Sequence, residues 1–240
     1  MIEGLDDLVN GMQLNDPKCR EILKGYSKAE SAKTIKRCIV PLEKKHPEYS
    51  VYLKEFKEDK DPVQTLENIK MVVGLSASIV DGMKPDLLSL LPDNDETREI
   101  VKLAGNIGNL SNSLCKTAKV QENYFIDLTK AIDKVSSKYG VNPPKLFEKT
   151  KYLDEITRTV FPTKKEAEKY YKIPVLLMQQ LADTVGQCKE FKKKFGMDDD
   201  KFSDGLDEIV KKNEIIQAAQ KTISKYQYKE LDRIYGRKEQ

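Results

Sequence analysis

Apolar residues in this chain recur three and four positions apart and not in alternation, a pattern that predicts helices and no convincing strand. The longest such stretch runs from Asp95 to Tyr139 without a proline. Ile100, Leu103, Ile107, Leu110 and Leu114 occupy successive positions of one seam. Thr117 and Gln121 interrupt it, and Tyr124, Leu128, Ala131 and Val135 resume it. The spacing predicts a heptad-like helix of about 43 residues, or about 65 Å at 1.5 Å per residue, closed by Gly140. A second stripe of small residues flanks its first half: Ala104, Gly105, Gly108, Ser111, Cys115 and Ala118. Small side chains on one face predict close approach by a neighbouring helix. Two occupied faces place this half inside a bundle, and the seam from Ile100 to Leu114 offers a dimer surface.

Boundary residues divide the rest. Asp16-Pro17 reads as an N-cap with proline at the first helical position, and Gly25 closes that short helix. Ser27-x-x-Glu30 opens the next as a capping box, and Pro41 interrupts it. His46-Pro47 starts another piece. Asp61-Pro62 opens a long apolar helix, which Gly82 and Pro85 kink or end, and Pro92-Asp93 turns the chain. Asn142-Pro143-Pro144 starts a helix, and Thr163-x-x-Glu166 boxes another that meets Pro174 and runs on to Gly196. Asp198 or Ser203 caps the last one. The expected fold is all-α: a multi-helix bundle with several long antiparallel helices of 30–45 residues and shorter N-terminal ones. Residues 1–60 form the short-helix segment and residues 61–240 the long-helix bundle, as one continuous body.

Composition narrows the classes. At 240 residues with 39% apolar side chains, the chain is long enough to bury a substantial core. Forty-two Lys and Arg against 39 Asp and Glu give only +3, less than a dedicated nucleic-acid binder carries. The start, MIEGLDDLVN, has acids where a secretory leader has bases, and no uncharged run reaches a membrane span, so a cytoplasmic location is expected. Four cysteines at 19, 38, 115 and 188 lack metal or redox spacing and read as free thiols.

Catalytic equipment is sparse. The single histidine, His46, precedes a proline at a helix start, and triad or di-iron chemistry needs more than that. No glycine-rich phosphate loop is present. Asp198, Asp199, Asp200 and Asp204 form an acidic cluster that on one helical face could chelate Mg²⁺ for a diphosphate substrate, with Asp199, Asp200 and Asp204 as the metal set. Acids at a helix start are also ordinary capping residues. No cofactor is expected.

The strongest polar pattern lies on the last helix. Lys221, Lys225, Lys229, Arg233 and Arg237 follow strict i+4 spacing, with Tyr226, Tyr228 and Tyr235 interleaved. Such a ridge could follow a polyanion, whether nucleic acid or an anionic membrane, with Tyr226 beside it; Glu230 and Asp232 weaken it. The functional expectation is a non-enzymatic, all-helical protein-interaction or scaffold protein. Its extended helical faces would meet a macromolecular partner, another protein first and a second copy of itself next. The alternatives are the polyanion binder and the Mg²⁺–diphosphate enzyme.

Overall fold

In the computed structural model, residues 14–82, 90–196 and 201–236 are described, and among them every regular element is helical. Helix α1 (Pro17–Thr34) starts where the sequence places it: the Asp16 carboxylate accepts from the amides of Lys18 and Cys19 at 3.4 and 3.3 Å. It does not stop at Gly25. A Cβ there would lie 3.2 Å from the Phe147 ring, so this glycine serves a close approach and not a helix end. The Ser27/Glu30 pair therefore sits inside α1 and caps nothing. Pro41 is also accommodated differently from expectation. A π turn at Ile35–Ile39, in which the Val40 amide bonds the Ile35 carbonyl, carries the chain into α2 (Val40–Lys45). Widening the turn ahead of the proline absorbs its missing donor without a break.

Short turns follow from His46 through α3 (Ser50–Leu53), and α4 (Pro62–Gly82) opens on Asp61, which accepts from the amides of Val63 and Gln64. Pro85 lies outside the described residues. Asn94 caps α5 (Asp95–Tyr139) through the Thr97 amide at 2.8 Å. Gly140, at φ 62°, closes it as the left-handed residue that the sequence anticipates. The segment from Asn142 divides in two, α6 (Pro143–Phe147) and α7 (Thr150–Val160). Helix α8 (Lys164–Lys194) carries the full Thr163/Glu166 capping box, and it continues through Pro174 as one element. Gly196, at φ 66°, follows it, and α9 (Lys201–Gly236) is the last of the described helices.

Helix α5 is the spine, packed on α1, α4, α7 and α8. Its pairing with α8 is antiparallel: Glu99 meets Lys194, Asn106 meets Gln187, and Gln121 meets Tyr170. The pairing of α8 with α9 is antiparallel too, Lys192 meeting Asp207 and Lys164 meeting Asp232. This is the expected bundle. Its main core joins Leu23 and Tyr26 of α1 to Phe125, Leu128 and Ile132 of α5, and to Leu146, Leu153 and Ile156. A second core seats Cys38, Ile39 and Leu53 on Ile215, Ala219 and Ile223 of α9, which fastens the N-terminal turns to the last helix. No helix among the described residues is long and apolar enough to cross a membrane.

The small-residue stripe of α5 is only partly an approach face. Ser111 and Ala118 are buried, and Ala104 and Gly108 are half-buried. Cys115 is exposed, and Gly105 has open space where a Cβ would stand.

Candidate functional site

A cleft of about 630 Å³ lies where α1, α5, α8 and α9 converge with the first turns of α4. That volume lies within the range of sites that enclose small organic ligands. Each wall arises from helical spacing. Helix α1 supplies Leu23, Tyr26, Ser27, Glu30 and Thr34, one face at steps of three and four. Helix α5 supplies Leu114, Thr117, Gln121 and Tyr124 at the same steps. Helix α8 adds Tyr170, Tyr171, Pro174 and Leu177, and α9 adds Ile223, Tyr226, Gln227 and Glu230. Pro174 has no amide to offer the Tyr170 carbonyl, so the one proline inside a long described helix sits on the cleft wall.

Aromatic rings shape one side. Tyr124 stacks on Tyr170 with centroids 4.5 Å apart and on Phe161 at 5.7 Å, and Tyr171 stands edge-on to Tyr170 at 5.7 Å. The Tyr170 hydroxyl donates to Gln121 Oε1 at 2.6 Å. Burial pushes the phenols of Tyr26 and Tyr124 well above their ordinary range, and it does the same to Tyr170 and Tyr171. The nearby charge of Glu30 adds to the rise at Tyr26, Tyr124 and Tyr171. These hydroxyls therefore stay neutral across the physiological range, able both to donate and to accept.

Ion pairs occupy the charged part of the lining. Asp154 of α7, nearly buried, takes both arms of Arg233 of α9 at 2.5 and 2.6 Å, and Glu230 accepts from the same guanidinium at 2.8 Å. On α1, Lys33 donates to Glu30 at 2.8 Å. The end of α9 is held nearby: Arg158 donates twice to the Ile234 carbonyl, and the Tyr235 hydroxyl donates to the Phe161 carbonyl.

The expected ridge on α9 is divided. Lys221, Lys225 and Lys229 are exposed, and Arg237 lies outside the described residues. Arg233 has turned inward to Asp154, and Tyr226 is half-buried on the cleft wall. At about 100° per residue, Asp232 and Glu214 fall on the same face as the three lysines. Asp232 is itself bonded to Lys164 at 2.7 Å. The face is a mixed, solvated one.

Of the seam, Ile100, Leu103, Leu110 and Leu114 are half-buried within the bundle, Leu114 on the cleft, while Ile107 is exposed. Asp198, Asp199 and Asp200 lie outside the described residues, and Asp204 is exposed in the first turn of α9. Among the described residues no group of three His, Cys, Asp or Glu side chains is placed to hold a metal ion. His46 stacks on Tyr49 at 4.7 Å, with Nδ1 3.3 Å from Glu48 Oε1. The four cysteines are free thiols, Cys38 buried and Cys115 exposed.

Sequence reasoning missed the cleft, although it held one sign of it. Thr117 and Gln121, the polar residues that interrupt the apolar seam of α5, are cleft residues. No known family model matches the chain, and no curated protein or solved structure matches it.

Proposed function

We propose that this chain is a non-enzymatic, all-helical binding protein whose interhelical cleft takes up an apolar small molecule. The observation that carries the reading is the cleft itself: about 630 Å³, with leucine, isoleucine and tyrosine side chains forming much of its wall and polar side chains such as Thr117, Gln121 and Glu30 set among them. Its polar groups suit recognition better than proton transfer. Phenols pushed far above neutrality are poor acid–base catalysts at physiological pH. The Asp154–Arg233 pair is engaged internally and offers neither nucleophile nor free cation. A neutral dye that brightens in apolar surroundings, N-phenyl-1-naphthylamine, tests the reading. It should bind saturably, one per chain. Thr117→Trp, which pushes an indole into the cleft, should weaken binding strongly while leaving the helical melting transition in place. Absence of saturable binding to the unaltered protein would overturn the reading.

A second reading, the scaffold that presents helical faces to a partner protein, draws on a separate observation. Met71, Leu75 and Leu90 are 61, 60 and 83% exposed, and Ile107 lies exposed on α5. Met71 and Leu75 stand one turn apart on α4, and adjoining exposed apolar side chains are a mark of protein interfaces. Sedimentation velocity over a range of concentrations tests whether a second copy covers them.

A further inference from the structure

Resting on the cleft reading, we infer that the cleft selects ligands that carry a protonated amine on an apolar body, the ammonium seating between the Glu30 carboxylate and the surrounding tyrosine rings. The first support is position. Glu30 lies one turn after Tyr26 on the cleft face of α1, and Tyr124, Tyr171 and Tyr226 line the same cleft from three other helices. A carboxylate amid aromatic faces is the arrangement that holds ammonium groups, because the ring quadrupole and the anion attract the same cation.

The balance of charge is the second. Three acids and three bases line the cleft, and they are not equally committed. Arg233 is fixed by Asp154 and Glu230, so no guanidinium is left to receive an anionic head. Lys60 stands exposed at the rim, where its charge acts on Glu55. Among the described residues, by contrast, the Glu30 carboxylate is held by Lys33 of its own helix alone, an i,i+3 pair with both side chains partly open to solvent. Exchanging that lysine for a ligand ammonium returns the Lys33 head to water, a modest cost for a pair that is already partly solvated.

The third is the state of the phenols. Burial first, and the charge of Glu30 after it, raise those of Tyr26 and Tyr171, so no tyrosinate competes with Glu30 as the anionic partner.

The test uses three ligands with one twelve-carbon chain and different heads: dodecylammonium, dodecanol and dodecanoate. Each is titrated below its micelle concentration against the dye-loaded full chain. Dodecylammonium should displace the dye with an affinity about tenfold above dodecanol, and dodecanoate should be the weakest. Glu30→Gln should erase the amine's advantage and leave dodecanol where it was. Lys33→Gln, which removes the internal competitor, should raise amine affinity, a gain that an unfolded variant could not show. Equal displacement by all three ligands, or dodecanoate above the amine, would overturn the head-group inference while the cleft reading stands. An amine preference that survives Glu30→Gln would overturn it in the same way. Displacement by none of the three would overturn both.

Discussion

Arg233 of α9 grips Asp154 of α7 through two parallel hydrogen bonds of 2.5 and 2.6 Å, across 79 positions of sequence. A fork of this kind orients both partners, and Glu230 on the preceding turn accepts from the same guanidinium. The pair joins the C-terminal helix to the short helix beneath the cleft, alongside the Arg158 bonds to the Ile234 carbonyl.

Breaking that pair from one side should be costly, because it strands a nearly buried carboxylate. Arg233→Glu is expected to destabilise the protein by about 2–4 kcal/mol, somewhat reduced by the guanidinium's partial exposure. Lys225→Glu with Lys229→Glu, two exposed positions, should change stability by less than about 0.5 kcal/mol each. Urea unfolding monitored by circular dichroism separates the two. Equal effects would mean that Arg233 belongs to the surface ridge after all.

Much of this architecture was legible because its signals are local. Asp16, Gly140 and the Thr163/Glu166 box fix helix ends through bonds within a few residues, and each stands where the sequence places it. Gly25 and Pro41 were misread for the opposite reason. What decides Gly25 is Phe147, 122 positions away, and what spares Pro41 is a π turn whose register no propensity records. The cleft was illegible as a site because its tyrosines come from four separate helices. Arg233 matched the i+4 ridge in sequence, yet a distant aspartate chose its direction.

Glycines inside long helices offer a test of packing against propensity. Gly105 of α5 and Gly186 of α8 have no heavy atom within 4 Å of an added Cβ. Alanine at either should therefore stabilise the chain by about 0.5–1 kcal/mol through helix propensity and a less flexible unfolded state. Gly140→Ala should do the reverse by about 1 kcal/mol, since φ 62° is strained for any residue with a Cβ. Melting temperatures of the three variants check both signs.

The tyrosine cluster sets the alkaline limit of the fold. Tyr26, Tyr124, Tyr170 and Tyr171 are raised by burial above the ordinary value of 10.0, so the folded chain keeps these protons after the unfolded chain has begun to lose them. In that window the unfolded state binds fewer protons, and stability falls as pH rises. The contribution is complete below pH 10.0 and drains away above it. Phenolate absorbance should rise in two stages: the accessible tyrosines first, then these four together with the loss of helical signal. A single smooth titration that leaves the helices intact would contradict the burial.

The exposed apolar residues make a separable prediction about assembly. Met71 and Leu75 lie on α4 one turn apart, both well exposed, and Ile107 is exposed on α5, the helix against which α4 packs. If two chains meet here, the sedimentation coefficient should rise with concentration, and Met71→Glu with Leu75→Glu should return it to the monomer value. The substitutions should not disturb the fold, because neither side chain contributes to the cores formed by Leu128, Ile132 and their neighbours or by Leu53 and Ile215. They should also leave dye binding intact, since neither residue lines the cleft. Assembly that persists in the double variant would assign the contact elsewhere, and loss of dye binding would mean that the α4 surface and the cleft are coupled.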